Sequence, residues 1–180
     1  MLFLRCVTCS PILVTLMGCG ASTNAAATRV LDADSEVLST TPVCFVPPNP
    51  AFSLTERAQQ ANIQEICEAA ARKQGVSVVP FNGKCLSVTT LWTIRDTGDR
   101  EGECSKTWVG AECQSSAVQA KSLKLTLAEP ANGRPLAETM ATIRSTHAQF
   151  SRESFQALCS AAFHDFPQPL SNAQFQVPVD

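Results

Sequence analysis

The chain has 180 residues, 44% of them apolar, with Lys plus Arg at 14 against Asp plus Glu at 16, for a formal charge of −2 at pH 7. A balance this close to neutral excludes nucleic-acid binding through a basic face. The length suits a single domain with a real core.

The amino terminus has the three parts of an export signal. Met1-Leu2-Phe3-Leu4-Arg5 carries one positive charge, and Cys6 to Met17 is apolar or small apart from Ser10-Pro11. That stretch is too short for a membrane-spanning helix, which needs about 20 apolar residues. It ends in Leu16-Met17-Gly18-Cys19, which resembles the lipobox of bacterial lipoproteins. The resemblance implies diacylglycerol on the Cys19 thiol, cleavage after Gly18 and acylation of the new amino group, for example with palmitate. Gly20 in place of Asp implies, by the enterobacterial sorting pattern, a lipid-anchored protein of the outer membrane facing the periplasm.

Cys6 and Cys9 leave with the leader, so no redox motif is read from their C-x-x-C spacing. With Cys19 lipidated, Cys44, Cys67, Cys85, Cys104, Cys113 and Cys159 remain. An even set in an exported chain implies three disulfides, with 15 connectivities open. No C-x-x-C or Cys/His cluster survives in the mature chain, so neither a metal site nor a cofactor is expected.

Residues 19–41 are rich in Ala, Ser and Thr and read as a lipidated flexible tether. The run Pro42 to Val46 is a first strand stopped by Pro47-Pro48. Ser53-Leu54-Thr55-Glu56 is a capping-box pattern. The helix it opens runs to Gln74, stops at Gly75, and buries Ile63, Ile66, Cys67 and Ala70. Val76 to Val79 reads as a short strand. Leu86, Val88, Thr90, Trp92 and Ile94 alternate as a half-buried one. Asp96 to Glu103 reads as a charged turn. Cys104 to Gly110 and Ala117 to Leu127 are further strands, and Asn132-Gly133 signals a hairpin returning through Leu136 to Ile143. Phe150, Ser151 and Phe155 fit a stapled, Ser-capped helix with an apolar stripe of Phe155, Leu158, Cys159, Ala162 and Phe163, ended by Pro167. Residues 168–180 read as an extended tail.

The expected architecture is α+β, a mostly antiparallel sheet with two helices packed on one face over residues 42–167. In this plan it resembles small envelope lipoproteins related in fold to the amino-terminal domain of TolB, including transport-auxiliary lipoproteins and LptE. The residues that carry the resemblance are the lipobox, the meander Leu123–Leu127/Asn132-Gly133/Leu136–Ile143, and the segment Leu158 to Pro167. On this plan Cys104 and Cys113 flank one short loop and pair most easily. Cys67 and Cys159 both face inward from neighbouring helices, which leaves Cys44 with Cys85.

Several motifs carry residue types suited to chemistry. Asp96-Thr97-Gly98 matches the aspartic-protease triplet, but such enzymes need two copies in a buried apolar setting; a single copy between Arg95 and Asp99 reads as a turn. Asp96, Asp99, Glu101 and Glu103 could gather oxygens around calcium, though without a known loop spacing. Ser160, His164 and Asp165 allow a triad on paper, but neighbours on a helix point apart and no nucleophile elbow precedes them. His147 is the other histidine. Trp92 and Trp108 read as core or sheet-face residues, and Arg72-Lys73 as compensation of a helix dipole. No catalytic residue is assigned. The resemblance implies a non-enzymatic accessory or scaffold for an envelope transport or assembly system, partnered by the membrane and by another envelope protein. The alternative is an inhibitor or immunity lipoprotein that blocks a hydrolase or toxin through a stiffened Cys104–Cys113 loop. An enzyme acting on the cell wall comes third. A scaffold predicts an apolar or helical patch, an inhibitor a protruding loop, and an enzyme a polar pocket.

Overall fold

The computed structural model describes residues 22–107 and 110–178, with side chains described for 23–102 and 114–177. The elements run β1 (Ser22–Leu31), α1 (Ser35–Thr40), β2 (Val43–Phe45), α2 (Leu54–Lys73), β3 (Leu86–Thr107), β4 (Gly110–Ala128), β5 (Pro135–Ser145), α3 (Arg152–Phe163) and β6 (Leu170–Pro178). The strands form one sheet in the order β2-β3-β4-β5-β1-β6. β2 runs parallel to β3, and the other neighbours are antiparallel.

The expected fold, a mostly antiparallel sheet carrying two helices on one face, is therefore corrected. The sheet is mixed, strand residues far outnumber helical ones, and there are three helices among the described residues. The helices also do not share the sheet. α3 packs against β1, β4, β5 and β6, while α2 packs mainly on α3.

The largest departure from expectation lies at the two ends of the described chain. Residues 22–31, read as tether, form β1, which lies between β5 and β6. Its inward positions are Ala25, Ala27 and Arg29, all buried. Ala25 and Ala27 are small where β1 packs on α3, which brings its own buried Ala157, Ala161 and Ala162. A small-residue seam of this kind buries little apolar area per residue and has the composition of a linker. The expected tail likewise pairs with β1 as β6, from Ser22↔Pro178 to Arg29↔Leu170.

The expected helices form by the chemistry read from their ends. Ser53 Oγ accepts from the Glu56 backbone N–H while the Glu56 carboxylate accepts from that of Ser53. α2 closes in a Schellman arrangement, Gly75 N–H to Arg72 O and Val76 N–H to Ala71 O at 3.0 Å each. That arrangement needs the left-handed conformation Gly75 adopts at φ +80°. At α3, Ser151 Oγ accepts from Ser154 N–H, and Phe150 stacks on Phe155 at 4.5 Å.

The expected strand Val76–Val79 contributes one isolated bridge, Val43↔Val78. The expected turn Asp96 to Glu103 is instead the middle of β3. β3 and β4 form one long hairpin, interrupted by a bulge between Asp96 and Arg100. Gly98 takes φ +78° in that bulge, its N–H donates to Asp96 Oδ1, and Thr97 Oγ1 donates to Val118 O.

Candidate functional site: an open strand edge beside an apolar groove

β2 is short for a reason written in the sequence. It pairs with Leu86–Val88 through Val43–Phe45, and Val46 N–H still donates to Val88 O at 3.0 Å. Pro47 and Pro48 follow. Proline has no N–H and cannot extend a ladder, so the chain leaves β3 and turns into α2. From Thr89 onward the β3 edge facing away from β4 has no partner strand among the described residues.

Beside that edge runs a groove of about 400 Å³. Its walls are Val46, Pro47 and Phe52 from the β2–α2 segment, Glu56 and Gln60 from α2, and Thr89 to Trp92 from β3. Phe52 is 44% exposed and Leu91 62%. Leu54 and Ile94 are also exposed. Trp92 is half-buried and meets Phe155 edge-on at 6.2 Å, which holds the indole as a fixed wall. A second depression shares Trp92 and extends to Ile94 and Phe150. Glu56 is the charged residue of the groove's lining. Hydrogen bonds from the Ser53 side chain and backbone hold its carboxyl below the usual range, so it is ionised at neutral pH.

The arrangement supplies free backbone donors and acceptors with apolar contacts alongside. Those are the two requirements for adding an extended peptide to a sheet. No chemistry of bond-making converges there.

Two cysteine pairs are bonded. Cys44 joins Cys85, tying β2 to the start of β3, and Cys67 joins Cys159, tying α2 to α3. Cys104 and Cys113 are register partners across the β3–β4 hairpin, and their side chains lie outside those described. Cys19, the expected lipidation position, and Trp108 lie outside the described residues altogether, as does the expected leader.

The other candidate groups do not assemble. Asp96 is committed to the bulge and Asp99 to an ion pair with Arg144. The Glu103 side chain is not described, and no His/Cys/Asp/Glu cluster suited to a metal occurs among the described residues. His164 stacks on Phe175 at 4.1 Å, and its Nδ1, though 3.1 Å from Asp165 Oδ2, is not aligned for a hydrogen bond. Among the described residues no hydrogen bond links Ser160 to His164. His147 lies in an exposed loop. Arg72 pairs with Glu68 at 2.8 Å.

Two buried cations escaped the sequence reading. Arg29 on β1 donates from Nε to Thr139 Oγ1, from Nη1 to Gln168 O and from Nη2 to Ala162 O and His164 O. It thereby caps the carboxyl end of α3. Burial lowers its pKa to about 10, partly opposed by Asp165. Lys121 on β4 donates to Gln149 O, with Ser145 Oγ and Ser154 Oγ at 3.5 and 3.4 Å, and burial lowers its pKa as well. Both fall where an alternating strand would bury them. That alternation was the available signal, visible for Lys121 in the run to Leu127.

No protein-family profile matches the chain, and no curated protein matches it in sequence. Among solved structures the chain is similar to a PDZ domain protein from Parabacteroides distasonis, with a TM-score of 0.54 and 10% identity. The match covers 87% of this chain and 39% of that one, so the chain spans about two-fifths of its length. A PelC dodecamer from Paraburkholderia phytofirmans matches with a TM-score of 0.45 and 10% identity, over 76% of this chain and 92% of that one. The first of these likenesses bears on the fold alone.

Proposed function

We propose that the chain is a non-enzymatic, lipid-anchored accessory protein of the bacterial outer membrane that faces the periplasm. Its role is to hold an extended segment of another envelope protein, belonging to a transport or assembly system. The observation that carries this reading is the open β3 edge from Thr89 onward, flanked by the apolar groove of Phe52, Leu91 and Trp92. Large apolar side chains clustered on a surface mark interaction sites more often than isolated ones do. An added strand would satisfy the free backbone groups of β3 while its alternate side chains entered the groove. The anchoring half of the proposal is supported by Leu16-Met17-Gly18-Cys19 and by the two disulfides, which suit an oxidising compartment.

The experiment is crosslinking in intact cells, purification of the tagged lipoprotein, and mass spectrometry of what accompanies it. Wild type should recover resident transport or assembly proteins. Leu91→Asp with Ile94→Asp, both at exposed positions, should fold normally and lose that recovery at least tenfold. Equal recovery by the variant would remove the groove from the account. Recovery of a hydrolase or toxin instead would favour an inhibitor acting through the β3–β4 hairpin.

A further inference from the structure

The groove beside β3 is apolar except at one point. Among the described residues lining it and the adjoining depression, Glu56 alone is charged. Ser53 donates to Glu56 Oε2 from both its N–H and its Oγ, at 2.9 and 2.7 Å. Those bonds fix the side chain and leave Oε1 without a donor among the described residues. A strand laid along β3 would strip water from that carboxylate, and an anion taken out of water without a partner is costly. Phe52 and Trp92 line the same groove, and aromatic faces attract cations. Granted the strand-holding role proposed above, we propose that the held segment carries an arginine or lysine that pairs with Glu56. Phe52 and Trp92 are the aromatic walls of that subsite, and a large apolar residue follows or precedes the cation by two positions.

The spacing comes from the two depressions. The first meets β3 along Thr89 to Trp92, and the second, of about 490 Å³, meets it along Trp92 to Ile94. Their centres lie about two residues apart on the strand, roughly 7 Å. Side chains at alternate positions of an added strand point to one face at that same interval. One strand can therefore place a side chain in each. The second depression is walled by Trp92, Ile94 and Phe150, with the amides of Gln59 and Gln149 at its sides and no charge. It takes an apolar side chain. The first takes the cation, because there a charged head meets Glu56 while its methylene stem covers apolar wall. Arginine suits the subsite best, since a guanidinium pairs with a carboxylate and stacks on an aromatic ring at once. A neutral polar side chain would leave Glu56 covered and unpaired, and an acidic one would be repelled. Charge thus selects among extended segments that the backbone of β3 alone would accept equally.

The test uses the full-length protein and the partner recovered by crosslinking in cells. Glu56→Gln removes the charge, while glutamine at this position still completes a capping box, so the start of α2 is kept. Wild type should bind the purified partner about fivefold more tightly than Glu56→Gln at low salt, and the difference should shrink in about 0.5 M salt. Equal binding by Glu56→Gln, with binding lost in Leu91→Asp with Ile94→Asp, would overturn the cation and leave the open edge standing. Equal binding by both variants would overturn the edge and the cation together. A loss in Glu56→Gln that salt leaves unchanged would also overturn the charge pairing. The spacing is read separately. A benzophenone amino acid at Gln59, an exposed position in the second depression, is crosslinked in cells, and the adduct is cleaved at acidic residues so that basic ones stay in the peptide. The attached residue should lie two positions from an arginine or lysine. Attachment to a segment with no basic residue nearby would overturn the proposed pattern.

Discussion

Arg29 gives the sharpest test of how this fold is held together. Its side chain is 2% exposed, yet it carries a charge with no carboxylate in hydrogen-bond range. The compensation comes from dipoles. Carbonyls of Ala162 at 2.7 Å, His164 at 2.9 Å and Gln168 at 2.6 Å converge on the guanidinium, with Thr139 Oγ1 at 3.1 Å and the Phe166 ring at 5.2 Å. A helix end carries partial negative charge, which favours a cation there. Burial lowers the pKa only to about 10, so the group remains charged at neutral pH. Arg29→Met keeps most of the volume and removes the donors. The buried Ala162 carbonyl and the part-buried carbonyls of His164 and Gln168 then lose their donor, at about 1–3 kcal/mol for a buried group left unpaired and less for one that water can reach. Part of that loss is offset because no charge has to be desolvated. The expected net cost is about 2–4 kcal/mol, rising to roughly 3–5 for Arg29→Ala, which adds a cavity. Arg29→Lys should fall nearest to wild type, since one ammonium cannot serve all four acceptors but keeps the charge. Urea unfolding followed by far-UV circular dichroism, with disulfides intact, measures this. At a slope of ~2 kcal/mol/M, Arg29→Met should lower the midpoint by about 1–2 M. A midpoint within about 0.2 M of wild type would refute the claim that this residue ties β1, α3 and the segment before β6 together.

Other outcomes follow from the same geometry. Removing the Cys67–Cys159 bond by paired Ala substitution should cost about 3–5 kcal/mol, since it closes a loop with a sequence separation of 92. A change under about 1 kcal/mol in thermal unfolding would contradict that. Ser53→Ala should cost about 1 kcal/mol through loss of the α2 cap. The Glu56 carboxyl is depressed in the fold, so its contribution is complete above the ordinary pKa of 4.5 and is lost as pH falls through the folded value. Glu56→Gln should accordingly flatten the acid limb of a stability–pH curve. Lys121 gives the same slope in a different, alkaline window. Its folded pKa lies below 10.5, so the unfolded chain binds more protons between the two values and stability rises with pH there. Lys121→Met should remove that rise, as read from urea midpoints up to pH 10.5.

Much of the local structure was legible because it rests on neighbouring residues. The capping box at Ser53, the stop at Gly75, the Ser151 cap and the Phe150–Phe155 staple depend on side chains a few positions apart. The buried stripes of α2 and α3 placed Cys67 and Cys159 face to face. What misled was composition. β1 buries Ala25, Ala27 and Arg29, and alanine at alternate positions gives almost no hydrophobic contrast in a segment that also looks like a spacer. The long β3–β4 hairpin was hidden by its bulge. Asp96, Gly98 and Asp99 are turn residues locally, and they do make a turn-like kink, but cross-strand pairing resumes at Arg100↔Ala117. The groove was not legible as a site. Pro47-Pro48 was read as the end of a strand, while its consequence, an unpaired edge on β3, depends on which strands neighbour it in space.

The most direct test of the central claim is photo-crosslinking in intact cells from Leu91 on the open edge, with Met140 on β5 as a control of comparable exposure. A benzophenone amino acid at each position, followed by denaturing purification and mass spectrometry, reports only what touches that position. The account predicts a discrete adduct with one envelope protein at Leu91, mapped to an extended segment of that protein, and none at Met140. Identical adducts at both positions, or none at Leu91 while the protein is folded and membrane-bound, would contradict it.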